Sequence, residues 1–533
     1  MSFPKSLGVV FILSGTVLAQ QPDRAAVRQQ AMALLTQARE VINTLPPGIA
    51  RRGVLDGISV TLFQIGDESG SAAALNEAIS VEKQYLAAAR NAPQRPSPSG
   101  GYVQSGTSQS VRNAVRAAGF HAVAGDRTGA RAWINVALEN APLVTAERER
   151  VPVMNEVAKA QIAIGDLDAA QQTVQTIGGK NSLPTDRLAD IAAAKAHAGN
   201  IAAAKLMTTG QDETATAAIL EKVAEEQAVA KDFASALETA SSIGSKSTDT
   251  TTKKVEALLA IAEAQSKSGD EAGARASYAR AVGVAANRQF FDRLVALSEA
   301  RTGRFEEALR LTGTSSGTSA MDCMELAVLA GNAKRPDIAR QLLSRARAAI
   351  EADLAKDSES VGTTDAAGHP VDRKQDNLQI LAIAQAQAGD IAGGLQTARA
   401  LDETHRSYAL GGIASEEARR GDIAGAEKTL AEDTERHTIP PELAQAKARA
   451  GDFEGAFQMA RRGMPNGEIE TVFRTYCKLA VLEKCTAAAS VMTFPLNKAL
   501  ALVGMAENLL GTARPLLPEL QRRLDRNEFD PNR

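Results

Sequence analysis

Aromatic side chains are scarce in this 533-residue chain: Phe, Tyr and Trp together make up 4%, with one Trp and five Tyr. Rings bury so much surface that conventional enzyme domains normally seal their cores with them, so a series of ordinary globular domains is disfavoured. Charge of one sign is missing too. Sixty Lys+Arg against 63 Asp+Glu leave a net charge of −3, which gives no electrostatic footprint for nucleic acid, and no such partner is expected. Three cysteines leave at least one without a partner in the chain. After the N-terminal segment no apolar run approaches the length a membrane-spanning helix needs, so no transmembrane segment is expected in the mature chain.

The chain is instead rich in alanine, within a hydrophobic fraction of 44%. Alanine gives up no side-chain entropy in a helix, so the composition favours an all-α fold. At the N-terminus a short segment with one charge, Lys5, precedes the apolar stretch Leu7 to Leu18, and Val17-Leu18-Ala19 fits a small-residue cleavage site. That order predicts a signal peptide over residues 1–19 and an exported mature chain, periplasmic or secreted; an uncleaved anchor is the alternative.

One phrase then recurs. Gly165-Asp166-Leu167-Asp168-Ala169-Ala170 and Gly451-Asp452-Phe453-Glu454-Gly455-Ala456 are its clearest copies. Gly269, Gly389 and Gly421 open the same Gly-Asp pair, Gly199-Asn200 and Gly303-Arg304 are close variants, and weaker versions start at Gly125, Lys231, Lys334 and Glu483. The steps run from 30 to 40 residues, apart from one of 55. Such a period signals a stacked array. Eleven, eight, seven and three residues before the turn stand small or aliphatic residues, as in Leu188, Ile191, Ala192 and Ala196. Those offsets trace one face of a helix. Five residues after it an Ala recurs (Ala170, Ala204, Ala236, Ala274, Ala308), letting a second helix approach closely. Ile177-Gly178 and Ile243-Gly244 look like left-handed stops of second helices. Each repeat is thus expected to be a helical hairpin.

The residues Gly303-Arg304-Phe305-Glu306-Glu307-Ala308 and Gly451 to Ala456 resemble the turn of the tetratricopeptide (TPR) repeat. The resemblance spans roughly residues 111–511 and implies an all-α, TPR-like α-solenoid of stacked antiparallel hairpins, of the exported bacterial type. The chain departs from the family where Leu replaces the bulky aromatic eleven residues before the turn. Gln161, Gln227, Gln265 or Gln385 replaces the aromatic four before it.

The expected organisation is a signal peptide (1–19), an N-terminal helical cap (20–91), a Pro/Ser/Gly-rich linker (92–110) and TPR-like repeats (111–350). A polar insert (351–377) follows, then further repeats (378–511) and a C-terminal capping helix and tail (512–533).

Chemical motifs do not survive their context. Gly313-Thr-Ser-Ser-Gly317 matches a nucleophile elbow around Ser315, but it follows a helix where that motif requires a strand. Gly178-Gly179-Lys180 and Gly244-Ser245-Lys246-Ser247 lie at the wrong helix end for phosphate. His121, His197, His369, His405 and His437 form no short-spaced ligand set, so no metal, cofactor or catalytic residue is expected. Cys323 falls on a core position and reads as a buried free thiol. Cys477 and Cys485 straddle a turn, and either a local disulfide or two buried thiols fits them.

Without a catalytic set, function is expected from shape. Stacked hairpins present a concave face lined by first helices, where extended peptides or helices dock. The stripe beside the core lies thirteen, ten, six and two residues before each turn. It comprises Asn155, Lys159, Glu221, Glu225, Glu256, Glu263, Arg293, Arg301, Gln379, Gln387, Tyr408 and Arg419. Its mixed charge suits a protein or peptide partner. The expected function is a non-catalytic exported scaffold or adaptor, with cell-envelope assembly as one setting. The alternative is a peptidoglycan-acting enzyme on a helical superhelix, such as a lytic transglycosylase relative, although little chain is left for its catalytic domain.

Overall fold

The computed structural model describes residues 24–91, 106–177, 183–285, 291–314, 319–357, 373–433, 440–462, 467–478 and 481–512. The expected signal peptide (1–19), Gly178 to Lys180, Ser315, His369 and His437 lie outside the described residues, as do residues 92–105 of the expected linker, 358–372 of the expected insert and the tail from 513.

The described residues form helices and no strand. In chain order these are α1 (Arg24–Ile42), α2 (Ile49–Gln64), α3 (Glu68–Asn91), α4 (Gly106–Val123), α5 (Arg127–Asn140), α6 (Glu147–Ala163), α7 (Leu167–Ile177), α8 (Leu183–His197) and α9 (Ile201–Leu206). The array continues with α10 (Glu213–Val229), α11 (Phe233–Ser242), α12 (Thr248–Lys267), α13 (Glu271–Ala285), α14 (Asp292–Arg301), α15 (Phe305–Thr314), α16 (Ala320–Asn332) and α17 (Pro336–Asp357). It ends with α18 (Arg373–Gln387), α19 (Ile391–Arg399), α20 (Glu403–Arg419), α21 (Ile423–Ala431), α22 (Pro441–Ala450), α23 (Phe453–Arg462), α24 (Gly467–Tyr476), α25 (Leu482–Ser490) and α26 (Pro495–Leu510). The fold is an all-α solenoid of stacked hairpins.

The Gly-Asp phrase performs two jobs in two residues. The glycine closes the first helix in the left-handed region, with φ of 79° at Gly165, 87° at Gly269 and 90° at Gly451. Asp166 N then donates to Gln161 O and Gly165 N to Ile162 O, both at 2.9 Å, the paired bonds of a Schellman ending. The following Asp caps the second helix: the Asp390 and Asp422 carboxylates accept from Gly393 N and Gly425 N, each at 2.9 Å. Where the glycine is missing, Lys231 and Lys334 are forced to φ of 63° and 61°. The weak copy at Glu483 is not a turn: Glu483 lies in the first turn of α25. Gly244 is no left-handed stop either; α11 ends with Ile243 extended, and Ser247 caps α12.

Even-numbered helices form the inner layer, each packing on the even-numbered helix before and after it. Odd-numbered helices form the outer layer and rarely touch one another. Glycine permits the closest inner approaches: a Cβ on Gly331 would strike the Ala388 backbone, and one on Gly504 the Glu470 carbonyl oxygen.

The two ends of this array meet. α26 packs on α24 on one side and on α2 on the other, and α1 lies against α26 as its outer partner. Helices from both termini therefore build the thirteenth hairpin, and one apolar cluster joins Ala31, Leu35 and Val54 to Val472, Val503 and Ala506. This closure corrects the expected N-terminal cap; the expected C-terminal capping helix lies outside the described residues. α2 and α3 form an ordinary hairpin around Gly66, with φ of 76°, and α1 belongs to the hairpin of α26. Two other expected boundaries shift: α4 already begins at Gly106, inside the proposed linker, while α17 extends to Asp357 and α18 starts at Arg373, trimming the insert from both sides.

Cys477 and Cys485 form a disulfide with Cα atoms 6.0 Å apart, tying α25 to the end of α24. Cys323 is free and buried, and burial pushes its thiol up to about 11.

Candidate partner-binding face

The stripe positions fall on the inner helices, but most of their charges are already engaged. Lys222 on α10 meets Glu225 at 2.7 Å and Glu221 at 3.2 Å. From α12, Lys253 reaches back to Glu221 at 3.3 Å and pairs with Glu256 at 2.9 Å. Arg301 lies 3.9 Å from Glu263, Arg293 pairs with Asp322 and sits 3.7 Å from Glu325, and Arg419 lies 3.9 Å from Glu442. A ladder of ion pairs thus crosses from repeat to repeat.

Burial sorts the members of the ladder. Glu221 is 6% exposed, which corrects its place on the open face. Its carboxyl is raised by burial, against the opposing charges of Lys222 and Lys253. For Lys222, burial disfavours the ammonium, yet Glu221 and Glu225 outweigh it and raise its pKa. Asn155, Lys159, Gln379 and Gln387 are half-buried on the same stripe. Arg293, Arg301, Arg419 and Tyr408 are exposed, Tyr408 by 51%. Two further exposed apolar residues share the stripe positions: Met321, thirteen residues before its turn, and Val229, two before.

Two polar systems were not legible in the repeat pattern. The first explains the glutamines that replace the family's aromatic. Gln227, Gln265 and Gln385 are buried and accept from Thr239, Ser277 and Thr397, each at 2.7 Å and twelve residues along. The bond locks the first helix to the second. The same position also pairs with the residue after the turn glycine: Gln265 with Asp270, Lys447 with Asp452, His121 with Asp126, and Glu299 with Arg304. At the Gly303 turn, where Arg304 replaces the usual Asp, Glu299 replaces the Gln; at the Lys334 turn Arg335 has Ala330 at that position.

The second system lies beneath the first two hairpins. Asp56 accepts from Arg52 at 2.8 Å and from Trp133 Nε1 at 2.9 Å. Arg52 also lies 3.1 Å from Glu82 and stacks 5.6 Å over the Trp133 ring. His121, fully buried, contacts Asp126 at 2.7 Å and faces Asp56 at 3.8 Å. Burial opposes its charge, but the hydrogen bond to Asp126 and the negative charges of Asp126 and Asp56 prevail and raise its pKa above the ordinary 6.5. These side chains are too enclosed to meet a substrate; they join α2 and α3 to α4 and α5. His197 contacts Glu226, and His405 contacts Asp402 and Asp376.

No protein-family model matches the chain, and no curated protein matches it. Among solved structures, it is similar to a circular tandem repeat protein with novel repeat topology (15% identity, 94% of this chain and 96% of that one, TM-score 0.16). It is also similar to the pentatricopeptide repeat protein PPR10 from maize (13% identity, 83% and 72%, TM-score 0.25). A third similarity is to the Naa15/Naa10 complex bound to HypK-THB (14% identity, 95% and 80%, TM-score 0.25). Likenesses this distant carry no functional argument.

Proposed function

We propose that the chain is a non-catalytic scaffold that binds a protein or peptide partner along its inner layer of helices. One observation carries this reading. Tyr408, Met321 and Val229 are each about half exposed at the stripe positions, while the charges beside them are largely neutralised by the cross-repeat ladder. Exposed Tyr and Met on a stripe that also carries exposed Arg293, Arg301 and Arg419 have the composition of a protein-binding surface. A ladder already paired offers little to a polyanion. We further propose that the protein works outside the cytoplasm. The apolar N-terminal segment supports this, and so does the Cys477–Cys485 disulfide, a bond that persists in oxidising compartments.

The test places a photo-crosslinking residue at Val229, exposed at another position of the same stripe, in the cell of origin. Enrichment of one envelope protein, lost in Tyr408→Ala/Met321→Ser, supports the reading. Crosslinks to RNA alone, turnover of peptidoglycan by the purified chain, or no change between wild type and variant would each overturn it.

A further inference from the structure

We propose that α1 is an exchangeable clasp: the groove on α26 that it fills accepts the same helix from a second copy of this chain, so that two chains can close each other's rings. Whichever chain supplies α1, the contacts that seat it are the same.

The closing hairpin is built unlike any other in the array. Other first helices that pack on an outer partner are followed by that partner in sequence. Here α26 ends at Leu510 and its outer partner begins at Arg24, so no turn holds the pair together. α1 meets α26 through one face, with Ala31, Leu34, Leu35, Ala38 and Ile42 buried at offsets of three, four, seven and eleven from the first. The residues between them are mostly exposed. The partner chemistry is therefore stated by the chain itself: an amphipathic helix with the pattern Ala-x2-Leu-Leu-x2-Ala-x3-Ile.

The connection from α1 to α2 favours exchange. It spans residues 43–48 and includes Pro46-Pro47-Gly48, with Gly48 fully extended at φ 175° and ψ 178°. The two prolines have fixed φ and no N–H, so α1 and α2 cannot merge into one helix, and the segment is preset to an open conformation. α1 packs far less on α2 than on α26. A helix seated mainly on the far end of its own chain, through a short stiff hinge, is the arrangement in which identical elements exchange between copies. Protein concentration then sets the balance between the two closures.

The experiment uses two full-length preparations in a Cys323→Ser background that retains the disulfide. One is isotopically heavy and carries Thr36→Cys on the exposed side of α1; the other is light and carries Thr493→Cys beside α26. After co-incubation, a polyethylene-glycol bis-maleimide that spans about 35 Å, the upper bound for labels on packed helices, should produce heavy–light crosslinks. Their yield should rise about tenfold for a tenfold increase in protein concentration, and an excess of peptide 24–42 should suppress it. A chain carrying both substitutions is the control for the ring. Crosslinking within that chain, with no heavy–light product at any concentration, overturns exchange while leaving the ring intact. Absence of the within-chain crosslink overturns the ring and the proposal with it. Both substituted positions are exposed, so loss of folding does not confuse the result.

Discussion

Thr61 Oγ1 lies 3.4 Å from Glu507 Oε1, a buried hydrogen bond between residues 446 apart in sequence. The other carboxylate oxygen of Glu507 faces Arg474 at 3.5 Å, so the fully buried glutamate ties α2, α24 and α26 together across the seam. Truncating Glu507 to Ala strips a buried acceptor from both partners and should cost about 2–4 kcal/mol. In a double-mutant cycle with Thr61→Val, the coupling should exceed about 0.5 kcal/mol, as for residues in contact. Denaturant unfolding of the four proteins checks this, and strict additivity would contradict the seam.

Lys231 and Lys334 occupy the left-handed position that glycine holds in the other turns. A non-glycine residue there carries strain of about 1 kcal/mol or more. Lys231→Gly and Lys334→Gly should therefore each stabilise the chain by roughly that amount, although both remove a side chain. Unchanged or lowered denaturation midpoints would show that the lysines are not strained.

The pairing of Glu299 with Arg304 makes a charge-specific prediction. Arg304→Asp alone sets two carboxylates facing each other and should cost about 1–3 kcal/mol. Adding Glu299→Gln recreates the arrangement of Gln265 and Asp270 and should recover most of the loss. Thermal unfolding of the single and double variants decides the matter; no recovery would mean that the two positions are not coupled.

His121 gives the fold a pH dependence of defined sign. Its pKa is raised in the folded chain, so its contribution is complete below the unfolded value near 6.5 and is lost as pH rises through the higher folded value. The groups facing it are Asp126 and Asp56, with Arg52 and Glu82 completing the network. Stability measured from pH 6 to pH 9 should decline in wild type, and His121→Gln should flatten that decline while lowering stability at pH 6. Equal slopes would remove the imidazolium from the account.

The hairpin repeat was legible because its turn is a backbone device: a left-handed glycine and a capping aspartate leave the same two letters every time, as at Gly389-Asp390 and Gly421-Asp422. The core stripe was legible for the same reason, since Leu410, Ile413 and Ala414 keep helical spacing. The closure was not. Nothing local in Arg24–Ile42 distinguishes a cap from an outer helix, and its partner lies at the other end of the chain. The burial of Glu221 is not legible, because the register places a residue beside the core without saying that Lys253 of the next repeat covers it. Gln385 stands where the TPR pattern has an aromatic; its bond to Thr397, twelve residues on, is foreshadowed only by a Gln/Thr or Gln/Ser pair repeated at fixed spacing. The pairing of Cys477 with Cys485 is not legible either, because spacing alone does not fix the approach of two side chains across a turn.

Ring closure is tested most directly by a distance across the seam. Thr36 and Thr493, both exposed, would carry spin labels in a Cys323→Ser background, and pulsed electron paramagnetic resonance would be recorded on dilute protein. Packed helices lie 8–10 Å apart, so closure predicts one narrow distribution below about 35 Å. An open array of thirteen hairpins at the same spacing would hold its ends on the order of 100 Å apart; a broad or undetectably long distance would contradict the ring.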